Sequence, residues 1–228
     1  MCVFPNIHYV DNFVPLQNGP VDGLPKSPKA MFTLLVNRGI VNEHFLDRIN
    51  NMEELEARIF ELIDHYPENG VPPEVIFHLI EIWGGQAGRG FYIKQPFNWY
   101  VVGALYNGII GDFLHIDHIN DEVLVHAAES VNVFQCALHE LGFKGMGIAF
   151  ITKHTRFWMH RNLPDSMLPI YDSTFSMNIM QVQGGAAYRQ LLPYWRGMVA
   201  KAEQEHVSLT SLERQLFNYF GQLARQAV

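Results

Sequence analysis

Apolar residues in this chain recur at the helical interval and almost nowhere alternate, and this pattern restricts the fold more than any other feature. Leu55, Ile59, Leu62 and Tyr66 fall at i, i+4, i+7 and i+11 behind Asn50 or Asn51, either of which can serve as N-cap. Pro72 and Pro73 suit the first turn of a second helix, with Val75, Ile76, Leu79, Ile80 and Trp83 on its buried stripe and Gly84 and Gly85 at its end. Helix is also expected from about Pro96 to Gly108 and from Asp121 to Leu141, where Val123, Ala127, Val131, Phe134, Leu138 and Leu141 keep the period until Gly142. Further helices are expected over about Ile148–His160, Ser173–Val182, Ala186–Glu205 and Ser211–Arg225, the last opened by a capping-box pattern from Thr210 to Glu213. Phe91–Ile93 and Phe113–Ile116 could be short strands, but two isolated pieces leave the class mostly α.

The first thirty residues contain Pro5, Pro15, Pro20, Pro25 and Pro28 together with Gly19 and Gly23, a density that opposes regular structure. Residues 1–30 therefore read as an extended arm and residues 31–228 as a helical body, divisible into lobes of about 31–120 and 121–228 with a cleft between them. The segment Gly84–Gly90 is rich in glycine but follows no strand, so it lacks the context of a nucleotide-binding fingerprint. With 48% hydrophobic and 17% charged residues the chain can bury a core and is not of the disordered class. Polar residues or glycine interrupt every apolar run before the ~20 residues a membrane span needs, so no membrane partner is expected. The two cysteines, Cys2 and Cys136, have no metal-ligand spacing, and no signal-peptide pattern opens the chain, which fits a cytoplasmic protein.

The formal net charge of −7 opposes nucleic acid at first sight, but it is unevenly distributed. Residues 1–140 hold 7 Lys and Arg against 18 Asp and Glu, whereas residues 141–228 hold 9 against 5. A polyanion should meet the second half, and the acidic first half suits a protein partner.

Chemistry concentrates between Leu138 and Ser176, which reads helix, glycine-rich hairpin, helix, loop, helix. Gly142, Gly145 and Gly147, with Lys144 among them, allow a tight turn whose backbone N–H groups can approach a phosphate at the start of the next helix. Such a turn grips a nucleic-acid backbone without reading its sequence. Lys153 lies on the helix that follows, and Asp172 stands nineteen positions later behind Pro169-Ile170-Tyr171. Asp172, followed by Ser-Thr-Phe, also has the form of a helix N-cap.

The glycine hairpin GFKGMG, Lys153 in the next helix and the Pro-Ile-Tyr-Asp172 element together resemble the helix-hairpin-helix DNA glycosylase/lyase superfamily. Phe150-Ile151-Thr152-Lys153, with Tyr188, Tyr194, Trp195, Glu213 and Leu216-Phe217 in the tail, is similar to its bacterial 8-oxoguanine branch. The resemblance covers roughly residues 130–220 and is loose before that. In better-known members the lysine follows the second hairpin glycine by two positions, whereas Lys153 follows Gly147 by six, about one helical turn deeper.

The resemblance implies helix-hairpin-helix glycosylase-like domains, DNA or a modified nucleobase as partner, base excision with AP-lyase activity on 8-oxoguanine or a related purine, and no cofactor. Lys153 would be the nucleophile, and its amine must be neutral to attack; apolar neighbours such as Ala149, Phe150 and Phe157 favour that state by desolvation. Asp172 would stabilise positive charge on the sugar and help move protons. A flipped base needs aromatic faces and amide contacts, for which Trp158, Trp195, Phe217 and Tyr219, with Gln86 or Gln215, are candidates. Each of these aromatic residues also has the spacing of ordinary core.

Two other readings compete. The chain could be a nucleic-acid- or nucleobase-binding protein of a bacterial antiviral defence system whose catalytic machinery has changed. Alternatively, His115 and His118 with Asp117 and Asp121 could serve a metal-dependent hydrolase, although His-x2-His with no distant third motif is a weak ligand set, and no metal site is assigned. No serine elbow is present, and Cys136 sits within a helical stretch beside Ala137 and Leu138, so neither supplies a nucleophile.

Overall fold

A computed structural model describes residues 1–13, 26–47, 49–85, 99–143, 146–183 and 185–226. Within them every regular element is helical: α1 (Lys26–Asn37), α2 (Glu43–Leu46), α3 (Met52–Asp64), α4 (Pro73–Trp83), α5 (Trp99–Leu114), α6 (Asp121–Glu140), α7 (Ile148–Trp158), α8 (Ser173–Asn178), α9 (Tyr188–Glu205) and α10 (Leu209–Gln226). The mostly α class is thus observed, and among the described residues there is no strand. Of the two candidate strands, Phe113–Ile116 lies at the end of α5 and in the turn after it, where Ile116 N–H donates to the Phe113 carbonyl, while Phe91–Ile93 lies outside the described residues. Among the described residues no helix is long and apolar enough to cross a membrane.

Local chemistry explains the helix boundaries. Asn51 caps α3 by accepting the Glu54 N–H at 2.8 Å, and Asn120 caps α6 by accepting the Val123 N–H at 2.9 Å. Pro72 and Pro73 open α4, where the missing N–H groups cost nothing. The expected stop of α5 at Gly108 is corrected: Gly108 and Gly111 lie inside the helix, which runs on to Leu114. Each glycine costs about 1 kcal/mol in a helix. Ile109, Ile110, Phe113 and Leu114 are all buried, and each such side chain returns about 1.5–3 kcal/mol on leaving water.

The cap of α10 is a second correction. Its N-cap is Ser208, whose hydroxyl accepts the Ser211 N–H at 3.1 Å, so the helix begins at Leu209 and Glu213 does not complete a capping box. That frees the Glu213 carboxylate to face inward.

The chain divides into two units, Gln17–Asn107 and Met1–Leu16 with Gly108–Val228, and the boundary falls inside α5. In the first, α4 packs against α1 and α3, and Phe77 meets Tyr106 edge to face at 5.0 Å. In the second, α9 packs against α6 and α10, α6 against α7, and α10 against α8. The buried large side chains of this unit include Phe157, Trp158, Tyr171, Phe175, Tyr194 and Trp195.

The N-terminal segment is irregular as far as Phe13, residues 14–25 of the expected arm lie outside the described residues, and α1 already begins at Lys26. Met1–Phe13 is nevertheless tied down. Val3 N–H donates to the Ile179 carbonyl at 2.8 Å, and the Gln215 amide accepts the Val10 N–H and donates to the Val10 carbonyl, both at 2.8 Å. Asp11 accepts the Ser208 N–H at 2.9 Å, and this bond holds its carboxyl below the usual range. Burial, reinforced by Glu205 and Tyr219, pushes the Tyr9 phenol up to about 12, so it stays a donor to the Pro5 carbonyl. At Gly197 on α9 a Cβ would stand 2.2 Å from Cys2 Sγ, so only glycine admits the segment this closely. We expect Gln215→Ala to leave α10 helical while releasing this segment. Amide exchange at Val10 should rise at least about tenfold, the equivalent of roughly 1.4 kcal/mol of local opening; unchanged protection would mean that the amide is not the anchor.

Candidate functional site

The segment joining α6 to α7 begins with a Schellman turn: Phe143 N–H donates to the Leu138 carbonyl and Gly142 N–H to the His139 carbonyl. Gly142 has φ +85°, a conformation that disfavours any residue with a Cβ. Lys144 and Gly145 lie outside the described residues, and the chain re-enters at Met146, which is buried. Gly147 is the N-cap of α7 and has no side chain to offer the first-turn N–H groups. Its carbonyl accepts from both Phe150 and Ile151 N–H groups.

Lys153 lies in the middle of α7 and is half-buried. Its Nζ stands 4.2 Å from the centroid of the Phe150 ring, one turn back on the same face. The residues on either side of it, Thr152 and His154, are fully buried, so α7 packs against the core along most of its length.

Pro169–Asp172 crosses this region without regular structure, and four side chains from three helices hold its backbone. Glu213 Oε1 accepts the Ile170 N–H at 2.6 Å, and Thr152 Oγ1 accepts the Tyr171 N–H at 3.1 Å. From the other side Trp195 Nε1 donates to the Pro169 carbonyl at 2.8 Å and Tyr194 OH donates to the Ile170 carbonyl at 2.9 Å. Acceptors on α7 and α10 thus take the N–H groups while donors on α9 take the carbonyls. A buried irregular segment needs such partners because its own backbone cannot satisfy itself.

The acceptor Glu213 is itself fixed by Arg156, whose Nε lies 2.9 Å from Glu213 Oε2; the two residues are 3% and 5% exposed. Thr152 and Arg156 are one turn apart on α7, so a single helix face reaches two consecutive N–H groups, directly at Tyr171 and through Glu213 at Ile170. Tyr171 stacks on Tyr194 at 4.7 Å, and its hydroxyl reaches Ser176 at 3.3 Å and Gln190 at 3.2 Å. Burial, with smaller contributions from the Glu213 and Asp172 carboxylates, raises the Tyr194 phenol well above its ordinary pKa and keeps it a donor.

Asp172 follows this clamped segment and is half-buried. Its carboxylate accepts the Phe175 N–H at 3.1 Å as the N-cap of α8, the capping role expected of Asp-Ser-Thr-Phe. The segments that carry Lys153 and Asp172 are therefore joined through their immediate neighbours, Thr152 and Tyr171.

The proposed base-pocket residues fall in different surroundings. Trp158 and Trp195 are fully buried, and the Trp195 indole is committed to the Pro169 carbonyl. The Gln215 amide is occupied by Val10. Phe217 is 58% exposed and stands 6.3 Å from Phe175, while Tyr219 is half-buried and meets Phe220 edge-on at 5.4 Å. Gln86 lies outside the described residues.

The histidine cluster does not gather around a centre. His118 Nδ1 pairs with Asp117 at 2.6 Å, while Asp121 forms a two-point pair with Arg196 at 2.6 and 2.8 Å that lowers its pKa. Among the described residues no group of three His, Cys, Asp or Glu side chains could hold a metal ion. An open groove of about 550 Å³ is lined by His118, Leu163, Ser166, Glu203, His206 and Ser208, among others, and among the described residues none assigned to the base pocket or to the lysine–aspartate pair lines it.

Sequence reasoning passed over Thr152 and Arg156 and misassigned Glu213. A usable signal was present: Glu213 sits between Leu212 and Leu216 on an apolar stripe, and Arg156 directly precedes Phe157-Trp158. Charges in such positions require a buried partner.

No family model matches the chain, and neither the curated proteins nor the solved structures compared with it yield a match.

Proposed function

We propose that this chain is a base-excision DNA glycosylase with AP-lyase activity, acting on 8-oxoguanine or a related modified purine and built on helix-hairpin-helix glycosylase-like domains. The observation that carries this reading is the Thr152–Tyr171 hydrogen bond, which ties the helix bearing a half-buried amine to a clamped segment that ends in a carboxylate. An enzyme that forms a covalent sugar adduct needs both groups on rigid supports. Two further features agree with a nucleic-acid substrate: residues 141–228 carry 9 Lys and Arg against 5 Asp and Glu, and α7 starts at a glycine that leaves its first N–H groups without a side-chain cap.

The chemistry runs through Lys153. The lone pair of its neutral Nζ attacks C1′ as the C1′–N9 bond breaks, and that bond's electron pair leaves with the purine, which takes up a proton. Nitrogen then loses a proton, and the C1′–O4′ bond opens with O4′ becoming a hydroxyl, which leaves a C1′=N Schiff base. Asp172 stabilises positive charge on the sugar while the base departs and accepts a proton in the steps that follow.

The test is a duplex carrying one 8-oxoguanine. Wild-type protein should release the free base and nick the strand, and Lys153→Gln should do neither. Binding of this duplex without release or nicking would favour the catalytically altered nucleobase-binding reading, and cleavage abolished by chelators would favour a metal-dependent hydrolase.

A further inference from the structure

We infer that Thr152 is the positioning residue of this lysine–carboxylate pair: its hydroxyl, bonded to the Tyr171 N–H, sets where Lys153 stands relative to Asp172. The inference rests on the function proposed above.

Thr152 is fully buried, and its hydroxyl is used in both directions. It donates to the Ile148 carbonyl at 2.9 Å, which leaves an oxygen lone pair for the Tyr171 N–H at 3.1 Å. Threonine on a helix divides between two χ1 rotamers, and the bond to the Ile148 carbonyl selects one of them, which holds the acceptor in place. Thr152 and Lys153 are consecutive, as are Tyr171 and Asp172, and consecutive Cα atoms lie about 3.8 Å apart. The contact therefore pins the two reactive side chains at their roots.

The remaining restraints act elsewhere. Glu213 holds Ile170 one residue earlier, while Trp195 and Tyr194 hold carbonyls from α9, an element that carries neither reactive group. With the Thr152 hydroxyl gone, these bonds keep Pro169–Tyr171 in place, but α7 loses its direct link to Tyr171. Geometry between amine and carboxylate should suffer more than folding does, and displacement by about 1 Å can cost roughly 100-fold in rate.

The experiment compares Thr152→Val and Thr152→Ser in the full chain under single-turnover conditions on the 8-oxoguanine duplex. Affinity is measured separately for a duplex carrying a tetrahydrofuran abasic analogue. We expect valine to slow base release by about 10- to 100-fold with Kd within about threefold of wild type, and serine to restore the rate to within about threefold. Should the valine variant fail to fold, Thr152→Ala carries the same comparison: alanine slow and serine near wild type supports the inference. Equal slowing of alanine and serine assigns the effect to the lost methyl group and overturns it. A folded valine variant with the wild-type rate overturns it as well, leaving the glycosylase reading intact, whereas a wild-type chain that releases no base removes that reading and this inference together.

Discussion

Glu213→Ala is expected to lower stability by about 3–5 kcal/mol, because it removes the carboxylate from an almost fully buried guanidinium–carboxylate pair. For a chain of this size the loss corresponds to a fall in Tm of roughly 6–20 °C. The same change removes the acceptor of the Ile170 N–H, so it strikes the ion pair and the clamped segment at once. Arg156→Met combined with Glu213→Leu should regain the part of the loss that comes from removing only one member of the buried pair. It should not regain all of it, since a buried N–H without an acceptor still costs about 1–3 kcal/mol. Differential scanning calorimetry of the single and double variants separates these contributions. A Glu213→Ala protein melting within about 2 °C of the parent would show that Arg156 finds another partner or reaches water.

Asp172→Asn should separate the two roles that one carboxylate holds. Asparagine is as good an N-cap as aspartate, so the bond to the Phe175 N–H survives and stability should stay within about 0.5 kcal/mol. The negative charge does not survive. On the proposed mechanism base release should fall by roughly 10²- to 10⁴-fold, the range typical for loss of a general acid–base or a charge-stabilising group. Asp172→Ala loses both roles and should also melt earlier, by about 1 kcal/mol of capping energy. Single-turnover rates beside melting curves for the two variants give the separation. An asparagine variant with the wild-type rate would reduce Asp172 to a helix cap.

The elements legible in the sequence were those written by short-range chemistry. Asn51 as a cap, Pro72-Pro73 at a helix start and Gly142 at a helix end each act within a few residues, and each stands where local rules put it. The glycine rule failed in α5, where buried Ile109, Ile110 and Phe113 carry the helix through Gly108. It is a local signal overridden by packing that the local sequence does not display. Glu213 illustrates the same limit. Its spacing from Thr210 imitates a capping box, but Ser208 supplies the cap, and the carboxylate turns toward an arginine fifty-seven positions away. At the candidate site, the aspartate's capping role was legible from Asp-Ser-Thr-Phe, and the clamp around Pro169–Tyr171 was not. A buried irregular segment takes its partners from whichever helices fold around it, so its hydrogen bonds leave no periodic trace.

Reductive trapping reads the Lys153 chemistry at the bond it forms. Wild-type protein is mixed with 8-oxoguanine duplex in the presence of borohydride, which delivers hydride to the C1′=N carbon and fixes the Schiff base as a stable secondary amine. The linked peptide is then located by mass spectrometry. One DNA adduct is expected, on Lys153 and absent from Lys153→Gln; an adduct on another lysine, or none from a wild-type protein that binds the duplex, would overturn the Lys153 Schiff-base mechanism.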